Sequence, residues 1–532
     1  MDLKKIVFAA CFLFLILISF GVKLIEFDNP FSGFHQLRQL DNLVAIENYF
    51  LEGIELKRRT ASGGYVVYEL PIYQVLVAYL SSSLDDVLFF ARSVNLVFAF
   101  LSMVLIFKIA DILFDIKTAI YATLFFAFAP LNLSYHRAVI MDISSIFFCL
   151  AATWLLTAYL NNKNKFWHLP LFVLAGGLSV VTKALYFFPV GAIALANFIN
   201  QYRSPFSANA TNYIKKNLGL VLSFILVVAI MLGWMWLVKS ANGPGGQGLM
   251  VFLTDWRFLF SLKYYALLVF RFTLLILNPF TFLLFIIGMV LIWSQYREKD
   301  SIALPFLIPL YFIFFGYMNF PHEYYALIMV PYCSLVAGVG AAWLEGVLTT
   351  NKLLSTREWT LGILCVFSSI VSVLIFFLNF LVGSPNLDQR TVQIEQEMKS
   401  VLEPRQLSKI YVNKPNFALF DYIKYNRSLY LSHALNMRSE EDIRVYGRPI
   451  TQNEMMYALR QYGGIEFTQE GIPKVDIDHL QQELSKYKGK LRYLMFYRYL
   501  EDQRSQIKTN MSEYKIFYES SDWIVYDLNI KK

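Results

Sequence analysis

The stretch Gly33 to Phe50, GFHQLRQLDNLVAIENYF, follows the first long apolar run of the chain and carries His35, Arg38 and Asp41. Arg38 and Asp41 lie three residues apart, so a helix sets guanidinium and carboxylate one turn from each other. At the mouth of an apolar bundle, such a carboxylate can take a proton from an acceptor hydroxyl as a general base. A plain i, i+3 ion pair on an interfacial helix explains the same spacing. Asp142, in SYHRAVIMDISS, either caps the start of an apolar span or supplies a second carboxylate that orients an acceptor or helps hold a metal. Lys183, in VVTKALYFFP, either snorkels to an interface or neutralises a phosphate as it leaves. His322, Glu323, Tyr324 and Tyr325, in NFPHEYYALIMVPY, can hydrogen-bond a phosphate or sugar, or anchor a span in an aromatic belt. Arg271, inside an apolar stretch, is a phosphate partner or half of a buried structural pair, and Glu69 and Arg137 complete the set.

The composition says what must position these groups. The chain has 532 residues, 57% apolar and only 16% charged, where a soluble chain carries roughly a quarter charged residues. Nearly all the long apolar runs fall before about residue 382, and the remainder reads as a soluble domain. The division is a membrane module over 1–384, with an outer loop at 26–87, and a globular domain over 385–532. The formal charge of +8 fits topology-setting lysines and arginines better than nucleic-acid binding. Cys11, Cys149, Cys333 and Cys365 all sit in apolar runs, without metal-ligand or disulfide spacing.

A span needs roughly 20 apolar residues. Candidates cover 6–25, 88–112, 118–134, 143–160, 167–182, 185–200, 218–238, 266–293, 302–317, 325–345 and 360–382, or about eleven helices. Lys183 separates two of these runs with almost no loop, and 266–293 is long enough to tilt or to bend at Asn278–Pro279. The N-terminal segment lacks a convincing cleavage site and reads as an uncleaved first span. With the N-terminus cytoplasmic, every inner loop is positive, from Lys4 and Lys5 to Lys352 and Arg357. The odd count then puts the C-terminal domain outside, on the face that collects Arg38, Asp41, Glu69, Arg137, Asp142, Lys183, His322 and Glu323. Ionisable groups at membrane depth are costly unless they serve a site or cavity.

Within the outer loop, 37–51 fits a helix and 70–83 is apolar but too short to span; both suit the membrane surface. In the C-terminal region, 388–402 fits an amphipathic helix, and 409–413, 491–497 and 514–528 read as strands, the last with a hairpin turn near Ser520–Asp522. That pattern predicts a small α/β domain. The chain has no P-loop, HExxH, CxxC pair or dinucleotide fingerprint, so any activated substrate is expected from the membrane.

Four segments, in order, resemble the GT-C superfamily of integral-membrane glycosyltransferases, in particular family 39-like proteins. These include protein O-mannosyltransferases and lipid A aminoarabinose transferases. RQLDNLVAIENYFLEG resembles the first outer loop, YELPIYQVLVAYL the second juxtamembrane helix, PLNLSYHRAVIMDISSIFF the loop before the fourth span, and HEYYALIMVPYCSLVAG the later His-x-Tyr-Tyr segment. Ile72 stands where leucine is usual in the second of these. The resemblance covers about residues 1–345. It implies a polytopic α-helical fold with an extracytoplasmic C-terminal domain, in a plasma (inner) membrane. The implied donor is a polyprenyl-phosphate sugar and the acceptor a glycan, lipid or protein, with inversion at the anomeric carbon. It puts Asp41 at the catalytic base position and Asp142 at the second-loop acidic position. Arg38, Lys183 and His322 become candidates for holding phosphate or substrate. Metal dependence differs among GT-C families, so a divalent metal stays open. A flippase for lipid-linked saccharides and a non-catalytic scaffold are the competing classes; the chain shows no repeated halves of the kind common in transporters.

Overall fold

The computed structural model describes residues 3–25, 27, 36–59, 65–84, 86–161, 167–203, 217–242, 259–296, 300–319, 322–350 and 357–380. In the C-terminal region it describes 409–413, 464–467, 493–497, 508–509, 511–519 and 523–531. The chain divides into two compact units: Met1–Asp28 with Val67–Phe380, and Asn29–Val66 with Leu381–Lys532.

The first unit is helical. Its helices are α1 (Leu3–Lys23), α3 (Ile72–Leu80), α4 (Val87–Leu113), α5 (Ile116–Phe128), α6 (Pro130–Tyr135), α7 (Asp142–Asn161) and α8 (His168–Lys183). They continue as α9 (Phe188–Arg203), α10 (Leu218–Asn242), α11 (Leu262–Arg271), α12 (Pro279–Gln295), α13 (Ala303–Phe314), α14 (Gly316–Asn319), α15 (Met329–Thr350) and α16 (Arg357–Phe380). By length and apolarity, five helical stretches can cross a membrane, or six if the bent pair α11–α12 counts as one; four shorter apolar helices accompany them. The protein is therefore an integral membrane protein, but length and composition do not give the expected eleven spans among the described residues.

Two expected spans are broken for local reasons. In 118–134 the break falls at Ala129, whose φ −54°, ψ 128° is the extended backbone that Pro130 imposes on its predecessor. In 266–293 the chain turns by 109°, after a π-helical turn at Phe272–Ile276. Asn278 stabilises this break. Its Oδ1 accepts from Thr281 N (2.8 Å), and its Nδ2 donates to Ser368 O (3.0 Å), Ser368 Oγ (2.9 Å) and Ser372 Oγ (2.8 Å). Conversely, the runs on either side of Lys183 form a single apolar stretch, His168–Asn200, interrupted only by a 3-10 turn at Ala184–Phe187.

Helix α15 is the core of this unit: every residue from Met329 to Ala341 is buried. It packs against α5 and α12. An added Cβ would lie 1.9 Å from Val336 O at Gly288, and 2.0 Å from Leu284 O at Gly340. Only glycine lets the α12 and α15 backbones approach this closely, the device that membrane helices use to gain packing contacts. Cys149, Cys333 and Cys365 are buried as expected, whereas Cys11 is exposed.

The second unit contains α2 (Gln36–Glu52), which realises the expected helix. It stops at Gly53, whose φ of +96° is a left-handed helix end that glycine adopts without strain. A two-stranded antiparallel pair follows, β1 (Arg58–Arg59) with β2 (Tyr65–Val66). The C-terminal strands are β3 (Lys409–Asn413), β4 (Gly464–Phe467), β5 (Tyr493–Tyr497), β6 (Tyr514–Glu519) and β7 (Trp523–Lys531), in the order β4-β3-β5-β7-β6. β3 runs parallel to β4 and β5, and β7 antiparallel to β5 and β6. The three expected strand regions are thus present, and β4 is an addition. The expected helix 388–402 and the turn 520–522 lie outside the described residues.

Candidate active site

In the membrane unit, four of the expected residues, Asp142, Lys183, Tyr324 and Tyr325, converge where α7 begins and α8 ends. Asp142 is the first residue of α7 and is fully buried. Its carboxylate does not serve as a helix cap. Instead its Oδ1 accepts from the Lys183 ammonium at the end of α8, and from the Tyr186 hydroxyl (2.6 Å). Its Oδ2 is buried with no hydrogen-bond partner among the described residues. A buried carboxylate with a vacant oxygen can accept from a hydroxyl or amine, and leaving it empty is costly.

Lys183 is enclosed by rings: its Nζ lies 4.7 Å from the Tyr186 ring centroid, 4.8 Å from Tyr324 and 4.5 Å from Tyr325. Such cation–π contacts strengthen once the ammonium is desolvated. Tyr324 and Tyr325 stack with centroids 4.5 Å apart, and the His322 ring sits 5.5 Å from Tyr324. A 3-10 turn at Glu323–Ile328 presents these residues. Tyr135 OH donates to Glu323 Oε1 (2.9 Å), and Tyr311 OH donates to Tyr325 O (2.6 Å), so side chains from α6 and α13 fix the turn. Tyr324 and Tyr325 thus pack as a wall against the Lys183 ammonium.

The neighbouring groups take defined places. The segment bearing Glu69 is pinned at both ends: Val67 exchanges hydrogen bonds with Asn242 (2.9 and 2.5 Å), and Leu70 N donates to Val181 O (2.9 Å). Glu69 thus sits beside the end of α8 that carries Lys183. Arg271, buried at the end of α11, donates to Asn319 O, three residues ahead of His322. Arg137 is fully buried in the turn before α7. His136 beside it is held neutral: burial, then the Lys23 ammonium, pushes its imidazole well below the usual histidine range. Lys23 is itself buried, donating to Ser19 Oγ (2.5 Å) and Ala127 O (2.9 Å).

Arg38 and Asp41 belong to the other unit. Within Gln39–Glu47, Asp41 alone keeps partial exposure, and Arg38 O accepts from Asn42 Nδ2 (2.8 Å). His35 lies outside the described residues. Sequence reasoning missed Tyr135, Tyr186 and Lys23. Tyr186 had a signal, since it follows Lys183 by three residues at the end of a helix. No group of three or more residues suited to holding a metal occurs among the described residues.

These features define a multi-pass membrane protein with a buried, tyrosine-walled ion pair at one end of its bundle. Residues 71–236 match the family described as dolichyl-phosphate-mannose-protein mannosyltransferase. The chain is similar in fold to the crystal structure of ArnT from Cupriavidus metallidurans in the apo state (TM-score 0.60) and bound to undecaprenyl phosphate (TM-score 0.59). In both cases identity is 11% and 97% of each chain is covered. It is also similar to the oligosaccharyltransferase AglB from Archaeoglobus fulgidus, in complex with an inhibitory peptide and a dolichol-phosphate. There the TM-score is 0.55 at 11% identity, over 93% of this chain and 70% of that one. No curated protein sequence matches the chain. The resemblance read from the motifs is thereby supported: the chain has the fold of the GT-C superfamily of membrane glycosyltransferases.

Proposed function

We propose that this protein is an inverting glycosyltransferase that moves a sugar from a polyprenyl-phosphate donor to an acceptor at the outer face of the membrane. The observation that carries the reading is the buried Asp142–Lys183–Tyr186 arrangement within a GT-C fold. The relatives captured with undecaprenyl phosphate and dolichol-phosphate support a lipid-phosphate donor.

In this reading the acceptor O–H or N–H gives its proton to Asp41, the base position of the resemblance. The freed lone pair attacks the anomeric carbon opposite the lipid phosphate. The bond from that carbon to the phosphate oxygen breaks, and its electron pair leaves on the phosphate. Lys183 and Arg271, with His322, neutralise that charge, which is the electrostatic share of catalysis; Arg38 is a candidate for the same role by the resemblance alone. Asp142 Oδ2 receives a hydrogen bond from the acceptor and orients it. Arg137, Glu69, Glu323, Tyr324 and Tyr325 shape and wall the site.

The test compares membrane lipids and glycans by mass spectrometry in the host carrying either the wild-type protein or Asp41→Asn as its sole copy. Loss of a general base costs about 10²- to 10⁴-fold in rate, so the variant should accumulate lipid-phosphate sugar and lack one glycan at unchanged protein level. The accumulating lipid names the donor and the missing glycan the acceptor. Wild-type profiles from Asp41→Asn would remove the base assignment. Lipid-linked sugar crossing proteoliposome membranes without product would favour a flippase.

A further inference from the structure

The chain between α6 and α7, His136–Met141, is irregular backbone at the end of a membrane bundle, where carbonyls need partners from elsewhere. Ile140 N donates to Ala138 O (2.9 Å), closing a tight turn about Val139. Both carbonyls that flank this turn accept from one side chain. Asn95 Nδ2, on α4, donates to Ala138 O (2.7 Å) and to Ile140 O (2.8 Å). Asn95 is fully buried in an apolar span, where a polar side chain is costly unless it is used. A primary amide is a compact group whose single nitrogen offers two hydrogens, and here they reach two carbonyls that straddle one turn. α3 braces both α4 and the turn: Tyr73 OH donates to Ala91 O (2.8 Å), one turn before Asn95, and Gln74 Nε2 reaches Met141 Sδ (3.6 Å).

Two residues beyond the stapled carbonyl of Ile140 comes Asp142, whose carboxylate must meet Lys183 and Tyr186. We infer that Asn95 is a positioning residue for Asp142: it fixes the turn whose direction sets the Asp142 carboxylate against α8 and keeps Oδ2 in place. The inference rests on the assignment of Asp142 to the acceptor side of the site. Asn95 touches no reacting atom in this scheme and acts through the aspartate alone.

The test is a double-mutant cycle on the full-length protein in host membranes, reading the initial rate of the product identified by mass spectrometry, per unit of folded protein. Asn95→Ala should lower the rate about tenfold, and Asp142→Asn about a hundredfold, the scale set by a misplaced group in a site. A residue acting only through Asp142 adds nothing once Asp142 is gone, so the double variant should be within about twofold of Asp142→Asn alone. A double variant slower by about a further tenfold would mean an independent structural role and overturn the inference, as would a wild-type rate from Asn95→Ala. Should Asn95→Ala fail to accumulate, Asn95→Ser, which keeps one donor, carries the same cycle. A wild-type rate from Asp142→Asn would identify the fault as the assignment of Asp142, and the inference would fall with it.

Discussion

Asp142 and Glu345 are both buried carboxylates in the membrane unit, and each faces a lysine, yet the two pairs are built differently. Asp142 is reached by Lys183, and their side chains are 0% and 6% exposed. Glu345 lies 3.6 Å from Lys117, whose side chain is 33% exposed. A tyrosine hydroxyl attends each: Tyr186 at 2.6 Å from Asp142, Tyr121 at 3.5 Å from Glu345. Glu345 stands far along α15 from Met329, next to the tyrosine turn, by roughly 24 Å at 1.5 Å per residue. At the Glu345 end the carboxylate is buried but the lysine reaches water, so its charge is partly screened and the pair is weaker than an enclosed one. At the Asp142 end neither partner reaches water, so each depends on the other. Only one pair is enclosed, and the enclosed pair is where the proposed chemistry sits.

The sharpest way to break this contrast is to remove each lysine. Lys183→Met strands a buried carboxylate, which costs about 3–5 kcal/mol, and removes a cation from the leaving phosphate. The thermal midpoint in detergent should fall and transfer should drop below detection. Lys117→Met leaves the buried Glu345 carboxylate without this lysine, but Lys117 is one-third exposed and its charge is already partly screened, so the cost should be smaller than for Lys183→Met, with transfer unchanged. Equal losses from the two variants would show that enclosure does not distinguish the ends. Lys183→Met combined with Asp142→Asn should recover stability without activity, separating the folding cost from the catalytic one.

How much of this was legible beforehand depends on the kind of information each residue carries. Asp142 and Lys183 stood out because ionisable groups beside apolar runs are rare, and α2 was readable from Leu40, Leu43 and Val44. Their partners were not readable. Tyr186 and Tyr135 look like ordinary interfacial aromatics until the fold brings α6, α7, α8 and the Glu323–Ile328 turn together. Asn95 is one of several polar residues in an otherwise apolar helix, and its purpose depends on two carbonyls more than forty positions away. The breaks at Ala129 and Asn278 illustrate the same limit. Proline marks where a helix can break, while the 109° bend between α11 and α12 depends on Ser368 and Ser372 being there to receive Asn278. The carboxylate's role as a helix cap was a sound local expectation, and it lost to a charge partner supplied from α8.

A smaller effect probes the tyrosines. Tyr186→Phe deletes one hydrogen bond to a lysine-paired carboxylate, worth about 1.5–3 kcal/mol, while keeping the ring against Lys183. Transfer should fall roughly tenfold to a hundredfold if that energy is used in the site. Tyr121→Phe removes a contact at the long limit of hydrogen bonding, so stability and transfer should both stay within experimental scatter. If Tyr121→Phe proved as damaging as Tyr186→Phe, the Glu345 end would have to be treated as a second buried polar network.

The smallest expected effect completes the comparison at the carboxylates themselves. Glu345→Gln removes the charge but keeps an acceptor for Tyr121 and nearly the same volume, so no cavity opens. Lys117 then loses a partner but not its access to water, so it can remain charged and hydrated. The expected cost is under about 1 kcal/mol, with transfer within about twofold of wild type, since a change this far from the site should leave the site's energetics independent. Raising the salt concentration should narrow even that difference, because a pair with one exposed partner is already partly screened. A loss of transfer from Glu345→Gln without a loss of stability would be the informative surprise. It would mean that α15, whose backbone is pressed against α12 at Gly288 and Gly340, transmits strain along its length to the tyrosine turn at its other end.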